Sequence, residues 1–211
     1  NPESKYKVIF CLGLPGSGKN TQCDLIKEKF KFSHFSCGDL LRNEAQTEGS
    51  KHGELINTCI KEGKIVPAVI TCSLAKREMT AKGKENIYLI DGFPRNKENL
   101  DGWLEVFGEE CNIIGVIYLD CSEEICSKRI KLRSENSNRI DDNDDSLKKR
   151  FKVFQDETLP NINHLGGLTK VMRINSGEND RVKIFEDLSK ELQGLLDEVK
   201  NNSLSDKRVS K

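Results

Sequence analysis

The stretch that decides the fold is "YKVIFCLGLPGSGKNTQ", residues 6–22, in which an apolar run leads directly into a glycine-rich turn. The run is typical of a buried strand, and the residues after the turn have the pattern of an amphipathic helix. Gly13, Gly16 and Gly18 allow a compact turn whose backbone N–H groups point inward, and Lys19 adds a mobile cation where the helix begins. The sequence therefore predicts a phosphate-binding loop; a surface turn without a ligand is the weaker interpretation.

The residue that follows the loop lysine departs from the usual pattern. Such loops carry Ser or Thr directly after the lysine, and its hydroxyl contacts a metal ion. Here that position is Asn20, and Thr21 follows one place later. The sequence leaves open which hydroxyl, if either, reaches a metal ion.

Further apolar, β-branched runs alternate with helical patterns along the chain. Because these runs are nearly continuous rather than alternating, they are typical of parallel strands covered on both faces. The pattern predicts a doubly wound α/β fold with a five-stranded parallel sheet, whose ligands bind beyond the carboxyl ends of the strands. The four further strands are predicted at 32–36, 87–91, 112–120 and 169–175. Helix starts are predicted at Ser36, Asn96, Ser122, Asp141 and Asn179.

Length and composition indicate one globular unit without a large basic or acidic surface. The chain has 211 residues, 36% of them hydrophobic and 32% charged, and 34 lysines and arginines balance 34 aspartates and glutamates. This balance argues against nucleic acid or an anionic membrane as a partner. No apolar run approaches the roughly 20 residues of a membrane span, and the start "NPESK" lacks the order of a secretory signal. We therefore expect a soluble intracellular protein.

The eight cysteines are interpreted as buried, reduced thiols. None forms a Cys-x-x-Cys pair, and none is grouped with His34, His52 or His164 at the spacing of a zinc site. A metal site is the less favoured alternative. The polar segment 201–211 is predicted to be a solvated, disordered tail.

A second group of candidate residues lies in "IYLIDGFPR", residues 87–95. Asp91, at the end of a buried strand, is placed where a carboxylate can organise Mg²⁺ and its waters. It could instead cap the turn at Gly92, and its position alone does not decide between these roles. Arg95 is interpreted as an anion ligand, since a planar guanidinium suits phosphate.

Arginines form a third group in a chain whose basic residues are otherwise mostly lysine. Arg129 and Arg133 are i,i+4 neighbours on a predicted helix, so they share a face and repel each other unless an anion lies between them. A solvated helix face is the alternative. Arg139 and Arg150 follow. The acidic stretch 141–145 lacks the glycine and glutamate of a calcium loop and is interpreted as a helix N-terminus.

Arg42, in "FSCGDLLR", follows a different strand from the phosphate loop. Together with Arg95 it predicts a second anion pocket that faces Lys19. An enzyme that moves a phosphoryl group between two bound nucleotides needs this arrangement, and it needs no strong base, because the accepting phosphate oxygen is already ionised.

The motifs "GLPGSGKNTQ", "FSCGDLLR", "EGKIVP", "LIDGFPRNKENLDGW" and "RIDDNDDSLKKR", in this order, resemble the nucleoside monophosphate kinases over residues 8 to about 195. The resemblance implies one kinase domain over 5–200, with a helical monophosphate-binding insertion at 36–66 and a short lid at 133–142. It also implies ATP as phosphoryl donor and Mg²⁺ bound with ATP, with Asp91 acting on the metal through water. A monomer in the cytoplasm or the nucleus is expected from the family.

The resemblance also assigns roles to individual residues. Lys19, Arg133, Arg139 and Arg150 would act on the transferring group, and Asp141 and Asp142 belong to the lid. The implied ATP-binding residues are Gly13, Pro15, Gly16, Ser17, Gly18, Lys19, Asn20, Thr21, Arg129, Arg133 and Gly177. The implied residues for the accepting monophosphate are Ser36, Cys37, Arg42, Ile65, Val66, Gly92, Arg95, Asn99, Arg139 and Arg150.

The accepting base is predicted to be a pyrimidine. Asn99 follows Arg95 by one helical turn, and at Asn99 the chain resembles the members that phosphorylate UMP and CMP, with dCMP a further candidate. Those members usually have alanine at position 37, and the small, poorly polar Cys37 is similar to it without matching it. AMP is the nearest alternative, and an exposed helix residue is the alternative role for Asn99. A P-loop switch that binds nucleotide without catalysis is the rival from another class. Asn20, Ser134 and Asn138 stand where the family usually has glycine.

Overall fold

A computed structural model describes residues 4–135, 143–178 and 180–209 of the chain. Within these residues, five parallel strands form one sheet in the order β2-β3-β1-β4-β5. The predicted doubly wound α/β fold is confirmed, and each predicted strand is present. The strands are β1 (Tyr6–Gly13), β2 (Ser33–Ser36), β3 (Tyr88–Asp91), β4 (Cys111–Asp120) and β5 (Val171–Asn175).

Helices connect the strands and cover both faces of the sheet. Short 3₁₀ and π-helical turns at Gly108–Glu110 and Phe154–Thr158 complete the described regular structure. The helices are α1 (Lys19–Phe30), α2 (Cys37–Gln46), α3 (Gly53–Glu62), α4 (Ala68–Lys82), α5 (Lys97–Phe107), α6 (Glu123–Ser134), α7 (Asp144–Val153), α8 (Leu159–Leu165) and α9 (Arg181–Val209).

The central strand β1 divides the core into two layers. Val8 and Phe10 belong to the cluster under α4 and α5, where Phe10 contacts Trp103 edge to face. Ile9 belongs to the opposite cluster, together with Leu192 of α9. Because successive strand residues point to opposite faces, a strand covered on both sides needs apolar residues throughout, as the sequence of β1 has.

Three of the predicted helix starts are confirmed by their hydrogen bonds. The side chains of Ser36, Asn96 and Ser122 each accept from the backbone N–H three residues on. The helix expected to begin after Asp141 begins instead at Asp144, because Asn143 Oδ1 accepts from Ser146 N at 2.9 Å. At α9, Asp180 Oδ1 accepts from Val182 N and Lys183 N. Asp141 and Asn179 lie outside the described residues.

The segment predicted as an insertion at 36–66 contains α2 and α3, which share a small core of their own. Leu41, Ile56, Cys59 and Val66 pack there with Ile70 and Leu74 of α4, apart from the two layers of the sheet. The predicted lid at 133–142 falls mainly outside the described residues. Only its start, residues 133–135 at the end of α6, is described.

The predicted disordered tail is wrong for residues 201–209, which continue α9. Leu188, Leu192 and Leu195 anchor the first half of this helix against the sheet. Extending an anchored helix costs far less than starting one, so the polar residues after it can stay helical. Side chains 201–206 are exposed, consistent with their polar composition.

All eight cysteines are free thiols, seven of them buried and Cys111 partly exposed, which confirms the interpretation as reduced thiols. Among the described residues, no helix combines the length and apolar character that crossing a bilayer requires.

Candidate active site

A cleft of about 400 Å³ lies at the carboxyl ends of β1 and β3, where the strand order reverses direction. The phosphate loop forms one wall. The start of α2, the turn after β3 and α7 contribute the other wall. A smaller cavity of about 30 Å³ continues from the cleft between α2 and α5.

The loop over residues 13–19 closes on its own backbone. Ser17 N donates to Leu14 O at 3.0 Å, and Gly16 and Gly18 adopt positive φ angles of 83° and 98°. A Cβ on Gly16 would lie 2.7 Å from the carbonyl oxygen of Cys126, so this position needs glycine for its angle and for space. The result is the compact turn that the sequence predicts.

Lys19 turns back over the loop that precedes it. Its Nζ donates to Gly13 O and to Leu14 O, both at 2.9 Å. Burial lowers the pKa of Lys19 from 10.5 to about 8, while the nearby Asp91 carboxylate opposes that shift. The ammonium group is thus held at the base of the cleft in a site with little water, where its charge acts strongly on a bound anion.

Arg129 links the phosphate loop to the segment that follows β5. Its guanidinium donates to Gly16 O at 3.4 Å and to Ser176 O at 2.6 Å, and Cys121 Sγ lies 3.7 Å away. Gly177, which follows Ser176 in the chain, lies close to Cys121. Arg129 and Arg133 both line the cleft, as their i,i+4 spacing predicts.

Arg42 and Arg95 stand across the cleft from the loop. Arg95 Nε donates to Gly92 O at 3.1 Å, which fixes the guanidinium close to the turn after β3. Arg42 forms an ion pair with the exposed carboxylate of Asp39, 2.5 Å away. Two guanidinium groups from different elements therefore face the same space, as a phosphate site requires.

Asn99 is buried, with 2% of its surface exposed, which excludes the exposed-helix interpretation. Its Oδ1 accepts from Arg95 N at 3.1 Å, so the amide orientation is fixed and the Nδ2 group is directed away from that bond. Within the described residues, this buried Nδ2 has no hydrogen-bond partner. Asn99 lines the small cavity together with Cys37, Val66 and Thr71.

Asp91 ends β3 at the floor of the cleft and is 3% exposed. His34 Nε2 lies 2.6 Å from its Oδ2. Among the described residues that line the cleft, Asp91 is the one carboxylate. Cys23 Sγ also lies close, because the ligand atoms of Cys23, His34 and Asp91 are all within 4.8 Å of one another.

The structure brings most of the predicted site residues to the two connected cavities. Ser17 is an exception, because this loop residue is 1% exposed and does not line the cleft. Ser36 caps α2 at the edge of the cleft. Gly177 is set back from the wall, and Arg139 lies outside the described residues. The predicted residues that line a cavity are Gly13, Pro15, Gly16, Gly18, Lys19, Asn20, Thr21, Ser36, Cys37, Arg42, Ile65, Val66, Asp91, Gly92, Arg95, Asn99, Arg129, Arg133 and Arg150.

Several residues that shape the site were not predicted from the sequence. Thr158 lines the cleft, and its hydroxyl donates to Arg95 O at 2.5 Å. Gly63, at φ 69°, approaches α7 so closely that a Cβ would lie 2.9 Å from Ser146 O. The glycine after an apolar helix in "KEGKIVP" was a signal for Gly63, since helices often end on a left-handed glycine. Nothing local marks Thr158, Thr71 or His34.

Comparisons with known proteins agree with this geometry. An adenylate kinase family model matches residues 11–168. The chain is similar to the UMP-CMP kinase of Mus musculus, with 44% identity over 192 residues covering 86% of this chain and 98% of the mouse protein. It is 45% identical to the UMP-CMP kinase of Homo sapiens over 179 residues, covering 83% and 91% of the two chains. It is 46% identical to UMP-CMP kinase 2 of Caenorhabditis elegans over 159 residues, covering 75% and 82%.

Proposed function

Because the chain belongs to the adenylate kinase family, we propose that it transfers the γ-phosphoryl group of ATP to UMP or CMP, with dCMP as a further acceptor. The bond from the γ-phosphorus to the β,γ-bridging oxygen breaks, and a bond to a phosphate oxygen of the acceptor forms. The products are ADP and the nucleoside diphosphate. The chain is then a phosphotransferase whose acceptor is itself a phosphate group.

The described residues perform this reaction by positioning and by neutralising charge. The N–H groups of the loop and Lys19 hold the β- and γ-phosphates, while Arg42 and Arg95 hold the accepting phosphate across the cleft. Arg133 and Arg150 line the cleft and stabilise the charge that spreads over the transferring group. No general base is required, since the attacking oxygen is already ionised. Arg139, outside the described residues, is proposed to act with them.

Asp91 fits the role of a magnesium-positioning residue. It is a buried carboxylate that lines the described cleft, and oxygen is the donor that Mg²⁺ prefers. Bound with ATP, Mg²⁺ supplies charge neutralisation at the phosphates. Asp91 would hold it through water, and the contact from His34 fixes the carboxylate for that purpose.

The small cavity favours a pyrimidine. Asn99 offers a buried N–H donor there, and a pyrimidine edge with an oxygen or nitrogen acceptor would satisfy it. Leaving such a donor unpaired costs about 1–3 kcal/mol. A purine would need more room between Val66, Thr71 and the short Asn99 side chain.

The observation that carries the proposal is that Lys19 and the pair Arg42 and Arg95 face one cleft, with Asn99 behind the second site. A nucleotide switch needs only the first site. The test is a coupled assay of ADP formation with Mg-ATP and a panel of UMP, CMP, dCMP, AMP and GMP. We expect kcat/KM to favour UMP and CMP. A preference for AMP would contradict the pyrimidine assignment, and no ADP formation with any acceptor would contradict the kinase assignment.

A monomer in the cytoplasm or nucleus, acting on free nucleotides without a nucleic-acid or membrane partner, completes the proposal. The described residues that line the cleft all come from one chain, which supports a monomer. Light scattering of the active protein tests this part: a stable dimer would contradict it.

A further inference from the structure

Three side chains that bind zinc well in proteins meet beneath the phosphate loop. Cys23 comes from α1, His34 from β2 and Asp91 from the end of β3. Their ligand atoms lie within 4.8 Å of one another, although 57 positions separate His34 from Asp91. The sequence spacing shows none of this, because the parallel pairing of β2 and β3 creates the group.

The pairing of the strands explains the convergence. His34 lies opposite Leu89, so Asp91, two residues further along β3, points to the same face as His34. Cys11 of β1 lies opposite Asp91 on that face. The helix α1 covers it and brings Cys23 down onto the strands, where the neighbouring Cys11 side chain and burial hold the pKa of the Cys23 thiol well above its ordinary value.

We propose that the Cys23, His34 and Asp91 side chains form an inhibitory site for a borderline-soft divalent cation such as Zn²⁺. A thiolate, an imidazole nitrogen and a carboxylate oxygen are the ligand types of protein zinc sites, and three protein ligands leave a fourth position for water. The thiolate and the carboxylate together balance the charge of the dication. Hard Mg²⁺, which prefers oxygen ligands, does not compete well for this set.

Binding requires small, defined rearrangements. Zinc–ligand bonds of about 2.0–2.3 Å place the ligand atoms of a tetrahedral site roughly 3–4 Å apart. The 2.6 Å contact between His34 Nε2 and Asp91 Oδ2 must therefore open, and Cys23 Sγ must move closer. The thiol proton leaves to solvent, and the imidazole proton moves to Nδ1 so that Nε2 can ligate. Each bound ion thus releases one proton.

The surroundings set both access to the site and its strength. Asp91 lines the cleft and 13% of the His34 side chain is exposed, so these two ligands are more accessible to an incoming ion than the fully buried Cys23. Lys19, Arg95 and Arg150 line the same cleft, and their positive charges repel the incoming divalent cation. This repulsion limits the affinity of the site for the cation when no nucleotide is bound.

The predicted consequence is inhibition, and this part rests on the proposed function. A metal ion on the thiolate side draws the Asp91 carboxylate away from the waters of Mg-ATP. Loss of Asp91 from that position lowers phosphoryl transfer even when Mg²⁺ is in excess.

The binding test uses Co²⁺ as a spectroscopic probe on the full chain, without nucleotide. Wild type is compared with Cys23→Ala and with Cys72→Ala, a matched control because Cys72 is also fully buried but lies on α4. We expect one Co²⁺ per chain, with a thiolate-to-cobalt charge-transfer band, in wild type and Cys72→Ala. Cys23→Ala should lose the band and bind at least about tenfold more weakly. Equal spectra in all three proteins, or no binding to wild type, would overturn the proposal.

A second variant and an activity measurement complete the test. His34→Gln removes the nitrogen ligand without touching any thiol, so the cobalt spectrum should change there even if Cys23→Ala folds poorly. Zn²⁺ should inhibit wild type and Cys72→Ala at fixed Mg-ATP, and inhibit Cys23→Ala at least about tenfold less strongly. Equal inhibition of Cys23→Ala would overturn the proposal. An absence of kinase activity before zinc is added would contradict the proposed function alone.

Discussion

The two halves of the cleft are built in different ways. The phosphate loop is a run of seven consecutive residues, 13–19, that closes on its own backbone through Ser17 and the Nζ of Lys19. The opposite side, where we propose that the acceptor binds and which we call the acceptor side, is assembled from α2, the turn after α3, the start of α5 and α7, which are far apart along the chain. It depends on contacts such as those of Gly63 with α7 and Thr158 with Arg95.

This difference predicts different consequences of mutation. The loop is held by short local bonds and keeps its shape when a side chain is changed. Replacing Lys19 therefore mainly removes the positive charge that we propose stabilises the transferring group. A change at the acceptor side alters which molecule is held, and its effect depends on several neighbours. Variants on the two sides should therefore separate loss of turnover from loss of discrimination.

The largest effect is expected for Lys19→Ala. Its ammonium group is the buried cation of the loop, so kcat should fall by roughly 10³-fold or more. The fold should persist without the two Nζ bonds, since the bond from Ser17 N to Leu14 O and the glycines hold the turn. Coupled kinetics and thermal unfolding measure the two properties, with Lys27→Ala, exposed on the same helix, as the control. Turnover at the wild-type level would contradict the assignment of the loop.

Arg133→Ala and Arg139→Ala should each lower kcat by roughly 10²-fold, since each arginine is proposed to stabilise charge that develops in the transition state. Arg133 lines the cleft near the loop. The expectation for Arg139, which lies outside the described residues, is based on the sequence alone. Lys131→Ala, exposed on the helix of Arg133, is the control and should be near wild type. A raised KM with unchanged kcat would instead indicate plain binding.

Asn99→Ala should act on base discrimination rather than on turnover. Losing the buried donor should reduce the preference for CMP and UMP over AMP by about 1–3 kcal/mol, measured as a ratio of kcat/KM values. The ratio also cancels any common effect on Arg95, whose N–H bonds to Asn99. Asp101→Ala, exposed on the same helix, should leave the ratio unchanged. An unchanged ratio in Asn99→Ala would mean that the base is recognised elsewhere.

The smallest effect at the pH where it sets in, about twofold near pH 8, concerns pH. Burial lowers the pKa of Lys19 to about 8, so the free enzyme loses this positive charge as the pH rises through that value. The kcat/KM for ATP should therefore fall above pH 8, approaching about tenfold per pH unit. In Lys19→Arg the guanidinium stays charged, so the decline near pH 8 should vanish. A wild-type profile that is flat to pH 10 would contradict the charge assignment.

Much of the fold and half of the site could be predicted from the sequence, because the responsible signals are local. The five strands, the glycines of the loop and the caps at Ser36, Asn96 and Ser122 each depend on a few neighbouring residues. The helix α7 begins later than predicted because Asn143 caps it. The prediction of disorder for residues 201–209 was wrong because polar composition does not reveal that the first half of α9 is anchored to the sheet.

By itself, the sequence determined the strand–loop–helix unit around Lys19, since glycine conformations and apolar periodicity act within one stretch of chain. Only the tertiary structure decided that Asn99 lines the small cavity and that its buried Nδ2 group has no partner among the described residues, and that Thr158 supports Arg95. The same holds for Cys23, His34 and Asp91, which meet because parallel strands place residues from distant segments side by side. No local pattern records such a meeting, because the register of a sheet and the packing of a helix over it depend on the whole core.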